Sequence, residues 1–383
     1  MTSLRQTVLH VRRGPLMNED HLKHSNPQTT VLARDAVFFL PEASAANDDP
    51  AAAESDTEAF LAQFETAWRP LDPQLRFVLR LIYARLKGLP PPAQLSPTEL
   101  RRINTELSFY LNAGAPALPH VEQRTITVPS GLARVRIYDP GVAAPTPTVV
   151  LLHGGGWVFG SLDTYDGFAR QIAKRSGLRC LSVEYALAPE HSFPKPLDDC
   201  IAAVRWALHE GSTLGIDGQR IAVIGDSAGA NLALAVCIAL RDRGAHPICG
   251  AALLYGAYSL DLDTPSQRAY GGGAYFLGTA DIARYLNDYL PSQAARQNPL
   301  AVPMLGNLAK LPPLYIAACE FDPLLEDSQR LAERAKSAGV DLEFRLWKGM
   351  VHGAVSLMGW IDALGPEVDR IGEFLRRVTD VGR

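Results

Sequence analysis

No apolar run in this chain of 383 residues approaches the ~18 that a membrane-spanning helix requires. Residues 1–20 carry Arg5, Arg12 and Arg13 but no continuous apolar stretch, so a secretory signal is not expected. Basic charge is not in excess. Lys and Arg total 37 against 41 Asp and Glu, and a net charge of −4 gives no electrostatic footprint for nucleic acid or an anionic membrane. Cysteine is scarce: Cys180, Cys200, Cys237, Cys249 and Cys319 are scattered, with no C-x-x-C spacing. Cys180 and Cys319 fall in apolar strand-like runs, which predicts buried free thiols and a reducing cytoplasm. Neither H-E-x-x-H nor a His/Cys cluster with zinc-ligand spacing occurs, so no metal is expected.

What is present is apolar surface for a large core: 47% of residues are hydrophobic and only 20% are charged. Residues 1–56 are rich in small and acidic side chains around 42–54, which predicts an unstructured extension; Met17 is an alternative start. Residues 57–122 carry helical patterns. Phe60, Phe64 and Trp68 mark one apolar face, Leu75, Val78, Leu79 and Ile82 another, and Ser96-Pro97-Thr98-Glu99 is a helix start. From residue 123 onward, strands alternate with helices. Strands are predicted at 125–128, 133–138, 148–152, 179–184, 220–224, 251–255, 314–319 and 342–347. Helices are predicted at 164–175, 196–209, 228–243, 324–338 and 361–378. The later strands are continuous apolar runs, as in parallel strands covered on both faces. The fold class is therefore α/β, with an eight-stranded, mostly parallel sheet and flanking helices. The interval 261–309 breaks the rhythm; with the N-terminal helices it is the candidate helical cap.

The chemistry centres on Gly225-Asp226-Ser227-Ala228-Gly229, set between a strand and a helix. A serine at the apex of a strained turn needs small neighbours and projects its hydroxyl past the sheet end. Directly after an earlier strand stands His153-Gly154-Gly155-Gly156-Trp157. Consecutive glycines let backbone N–H groups converge, and Gly154, Gly155, Gly156 and Ala228 are the expected oxyanion donors. A dinucleotide turn is the rival, but Phe159 stands where G-x-G-x-x-G needs its last glycine.

An acid and a histidine must follow the serine in chain order. Asp322 ends the seventh strand, where Pro323 holds it extended, and His352 follows the eighth. Asp226 is better placed to brace the turn; Glu326 and Asp327 are explained by the first turn of a helix. Glu320 remains a weaker rival. Among the histidines, His191 lies in a proline-bracketed loop with a structural reading, and His10, His21, His24, His209 and His246 sit at the start, at helix ends or in loops. The bulky Trp157, Phe159, Tyr185, Tyr255 and Tyr258 near strand ends either narrow an acyl pocket or pack the core.

His-Gly-Gly-Gly-Trp, Tyr185-Ala186-Leu187-Ala188-Pro189-Glu190, Gly-Asp-Ser-Ala-Gly-Ala-Asn, Asp-Pro-Leu-Leu-Glu-Asp and the final His-Gly occur in one order. Together with Asn112-Ala113-Gly114-Ala115-Pro116, they resemble the hormone-sensitive-lipase-like α/β-hydrolases and, more narrowly, bacterial acetyl esterases. The resemblance runs from about Pro73 to the C-terminus. It implies Ser227 as nucleophile, His352 as base, Asp322 as orienting acid, and a preference for acetyl to butyryl esters, with no cofactor. Amide or carbamate hydrolysis would use the same groups. A non-catalytic binding protein on this fold, like plant hormone receptors that have lost the histidine, is the other alternative. Expected partners are a small ester and water, with neither nucleic acid nor membrane.

Overall fold

The protein is described here by a computed structural model over residues 50–244 and 248–380. The strands are β1 (His120–Val128), β2 (Gly131–Asp139), β3 (Thr146–Leu152), β4 (Arg179–Val183), β5 (Ile216–Asp226), β6 (Ile248–Leu254), β7 (Leu314–Phe321) and β8 (Leu342–Val351). They form one eight-stranded sheet in the order β1-β2-β4-β3-β5-β6-β7-β8. β2 runs antiparallel to both neighbours, and every other pairing from β4 to β8 is parallel. Each residue of β3 and β4 is buried, so burial does not alternate along these strands; Val149–Leu152 is the continuous apolar part of β3, while Thr148 and Ser182 are buried polar positions. The edge strands β1 and β8 are mostly exposed or half-buried and bury side chains only toward their C-terminal ends, at Ile126 and Val128 in β1 and at Trp347, Met350 and Val351 in β8.

Helices cover both faces. Asp166–Ser176 packs against Leu364–Asp380, while Lys195–His209 packs against Ala228–Asp242. The strand ends differ from the sequence expectation mainly by extension: β1 starts at His120 and β5 at Ile216. The added part of β1 pairs residue by residue with β2, whereas in β5 Ile216 alone reaches Thr146 of β3 across a register shift; the polar residues in both segments hide them from apolar patterning.

The N-terminal helices do not form a core of their own. Leu61, Trp68, Leu75, Val78, Leu79 and Ile82 join the same apolar cluster as the strands. The helix Pro73–Leu86 starts at Asp72, whose carboxylate accepts from the N–H groups of Gln74 and Leu75. The helix Pro97–Glu106 starts with a full capping box between Ser96 and Glu99, as the sequence predicts. One expectation fails. Residues 50–56, read as part of the unstructured extension, belong to the helix Pro50–Ala62, because the alanines there are strong helix formers. Residues 1–49, with His10, His21 and His24, and the loop holding His246 lie outside the described residues.

The interval 261–309 contains the helices Pro265–Tyr270, Thr279–Tyr289 and Gln293–Arg296. Its segment 273–276 is bound to the N-terminal helices. Trp68 Nε1 donates to Ala274 O at 2.7 Å, and Tyr83 Oη donates to Gly273 O at 2.7 Å. Among the described residues, no helix is long and apolar enough to cross a membrane.

Candidate active site

His153, Ser227, Asp322 and His352 each directly follow the last residue of the parallel strands β3, β5, β7 and β8, so the C-terminal ends of these strands collect all four residues at one sheet edge. Ser227 sits at φ 53°, a left-handed conformation that a side chain adopts only under strain. The turn around it is tight enough to require glycine on both sides. A Cβ on Gly229 would lie 2.0 Å from Leu152 O, and one on Gly225 would lie 2.3 Å from Gly229 O. The turn is tied to the sheet by Ser227 N donating to Leu254 O at 2.9 Å.

His352 Nε2 lies 2.8 Å from Ser227 Oγ, and His352 Nδ1 lies 2.9 Å from Asp322 Oδ2. A carboxylate accepts, so Nδ1 carries the proton and Nε2 presents a lone pair to the hydroxyl. Asp322 is fully buried, and its other oxygen accepts from Leu324 N at 2.8 Å. The rival acids have other partners. Glu320 accepts from Gly349 N, and Glu326 accepts from Ser266 N. Asp327 accepts from Tyr258 N, Ser259 N and Ser259 Oγ, and burial raises its pKa. Glu326 and Asp327 thus tie down the chain after β6, a role that their place in a helix's first turn does not disclose.

The glycine turn after β3 is fixed peptide by peptide. His153 is fully buried, and its Nδ1 lies 2.8 Å from Gly154 O. A carbonyl only accepts, so this nitrogen is the donor. Burial lowers the His153 pKa to about 4, which keeps the ring neutral. Because the peptide is planar and trans, holding Gly154 O aims Gly155 N–H the opposite way. In the same manner, Gly155 O accepts from Val158 N and Phe159 N, both at 3.0 Å, and this aims Gly156 N–H. The N–H groups of Gly155, Gly156 and Ala228 donate to no protein acceptor among the described residues.

Gly154 departs from the expected donor set. Its N–H donates to Asp226 Oδ1 at 2.9 Å and is committed to the turn. Asp226 does brace this corner: Oδ2 also accepts from Tyr165 Oη at 3.1 Å and Tyr255 Oη at 3.4 Å. Burial pushes its carboxyl up to about 6, partly offset by the hydrogen bond from Tyr165.

The bulky side chains separate into two groups. Tyr185, Tyr255 and Tyr258 are enclosed by protein, which makes them packing residues and not an open wall. Tyr185 stacks on His153 with ring centroids 4.3 Å apart, and the Tyr255 ring meets His352 edge-on at 5.1 Å. Trp157, also buried, stacks on Tyr289 at 4.5 Å, and half-buried Phe159 packs edge-on to Tyr285. Tyr285 is a residue that sequence reasoning passed over. It presses on Gly156 so closely that a Cβ there would lie 2.5 Å from its ring. Phe276 is another, with its ring 3.2 Å from where a Gly353 Cβ would stand, beside His352. Neither belongs to a motif, and only the folded insertion brings them here. No group of three or more His, Cys, Asp or Glu suited to a metal occurs among the described residues.

Known proteins share this architecture. A family profile described as alpha/beta hydrolase fold matches residues 149–356. Esterase LipI of Mycobacterium tuberculosis (strain ATCC 25618 / H37Rv) is 38% identical over 261 residues, covering 66% of this chain and 81% of the relative. The ester-hydrolase EH1AB1 from the metagenome of Lake Arreo, solved with a derivative of bipyridine phosphonate, superimposes with a TM-score of 0.76. It is 31% identical and covers 80% of this chain and 98% of its own. The Pyrobaculum calidifontis esterase gives a TM-score of 0.75 at 33% identity, covering 80% of this chain and 99% of its own.

Proposed function

This chain belongs to the α/β-hydrolase family and, within it, to the hormone-sensitive-lipase-like esterases, and on that footing we propose that it hydrolyses short-chain carboxylic esters through an acyl-enzyme on Ser227. The observation that carries the reading is the run Asp322–His352–Ser227, two hydrogen bonds of 2.9 and 2.8 Å ending on a hydroxyl at a strained turn. His352 Nε2 takes the hydroxyl proton as Ser227 Oγ attacks the ester carbonyl. Asp322 keeps the imidazole tautomer and stabilises its charged form. The carbonyl oxygen, now an anion, is received by the N–H groups of Gly155, Gly156 and Ala228, each worth ~3–4 kcal/mol of barrier. His352 then protonates the leaving alcohol, and water releases the acid by the same route.

The acetyl-to-butyryl preference rests on the family resemblance and on the rings crowding the oxyanion turn, Phe159 and Tyr285. Residues 57–122 and 261–309 serve as a cap in this reading, since segment 273–276 is bound to the N-terminal helices and Phe276 faces Gly353. The chain's free cysteines accord with a cytoplasmic setting. The partners are a small ester and water.

Wild-type protein should hydrolyse p-nitrophenyl acetate and butyrate, with turnover declining for longer acyl chains. Ser227→Ala should reduce turnover to background. Undiminished turnover in that variant would remove Ser227 from the chemistry.

A further inference from the structure

We propose that Arg101, on the N-terminal helix Pro97–Glu106, is a positioning residue that holds the oxyanion turn in its working geometry through backbone carbonyls. The inference rests on the reading of Gly155 and Gly156 as oxyanion donors. Arg101 Nε donates to Val158 O at 2.8 Å, and Nη2 donates to Ala188 O at 3.0 Å. Val158 is the residue whose N–H holds Gly155 O, and that carbonyl shares a peptide plane with Gly156 N–H. Ala188 N in turn donates to Trp157 O at 2.8 Å. One guanidinium therefore joins both strips of backbone flanking the turn. Its fork geometry lets it do so from two nitrogens at once.

The same guanidinium makes a bidentate pair with Glu190, at 2.9 and 2.7 Å. That pair is the weaker part of the arrangement. The Glu190 side chain is 51% exposed and that of Arg101 32%, so solvent and salt screen their attraction. The screened carboxylate adds little, and the carbonyl bonds do the positioning. An oxyanion donor displaced by about 1 Å loses on the order of 100-fold in rate, whereas substrate binding before attack does not use it.

The test compares Arg101→Met, Arg101→Lys and Glu190→Gln with wild type on p-nitrophenyl acetate. Affinity for a boronic acid, whose serine adduct places an oxygen in the oxyanion site, is measured alongside. Arg101→Met should lower kcat ~10–100-fold with KM within about 3-fold, and weaken boronate binding in parallel. Arg101→Lys, with one cationic head for two carbonyls, should fall between. Glu190→Gln should stay within about 2-fold of wild type. Unchanged kcat in a folded Arg101→Met protein overturns the proposal, as does a loss in Glu190→Gln equal to that in Arg101→Met. If Arg101→Met does not fold, the same readings on Arg101→Lys decide. An inactive wild type, or an active Ser227→Ala, would instead refute the esterase reading on which the proposal stands.

Discussion

Asp226 shows how much one buried side chain holds at this site. It adjoins the serine, accepts the N–H of Gly154, and shares Tyr255 Oη with Val355 N in the chain after His352. Three segments that carry the proposed machinery therefore meet at one carboxyl. Its folded pKa of about 6 lies above the usual aspartate value, so the folded state favours the protonated form. The stability from that form is complete below about pH 4 and is lost as the pH rises through about 6. Two pK units correspond to ~3 kcal/mol. Asp226→Asn does not titrate but can still accept from Gly154 N. Relative to wild type, the variant should gain ~3 kcal/mol of unfolding free energy between about pH 4 and about pH 7. Urea denaturation at both pH values checks this, and a pH-independent difference would contradict it. The pentad's glycines were legible because a clash-free turn demands them. Asp226's partner Tyr165 was not, since it sits in no motif and reaches the carboxylate only after the chain folds back.

At the scale of elements, the strands and helices of the sheet were largely readable, because buried parallel strands and amphipathic helices each impose their own apolar period. The segment 273–276 was not, because its structure depends on residues far away in the chain. Tyr83 Oη donates to Gly273 O and accepts from Phe276 N at 3.1 Å, and Tyr275 Oη donates to Ala67 O at 3.1 Å. Phe64, Trp68 and Tyr83 pack ring to ring beneath it. Tyr83→Phe removes both hydroxyl bonds at a cost of ~1 kcal/mol each. Amide exchange at residues 273–276 should speed up. KM for esters of bulky alcohols should change, while kcat for p-nitrophenyl acetate stays within about 2-fold. Exchange as slow as in wild type would show that the aromatic packing alone holds the loop.

Across the whole molecule, one continuous apolar cluster joins the N-terminal helices to the sheet, and the cysteines record that enclosure. Cys180, Cys200, Cys237 and Cys319 are buried, with thiol pKa values raised by desolvation; only Cys249 is partly exposed. The reactive species is the thiolate, so Ellman's reagent should titrate no more than Cys249 in the folded protein and all five thiols after unfolding. Rapid reaction of a second thiol in the native state would show that the cluster opens.

The sequence by itself determined the strand-and-helix alternation and the chain order of Ser227, Asp322 and His352. It did so because local sterics and apolar periodicity act over a few residues and leave their mark in the order of letters. Tertiary structure alone decided that Gly154 is committed to Asp226, that Tyr285 and Phe276 face the site, and that Arg101 reaches Val158 O and Ala188 O. Those contacts join positions from 57 residues apart, for Arg101 and Val158, to more than a hundred, for Gly156 and Tyr285. A hydrogen bond depends on where two groups lie in space, and sequence distance carries no trace of it.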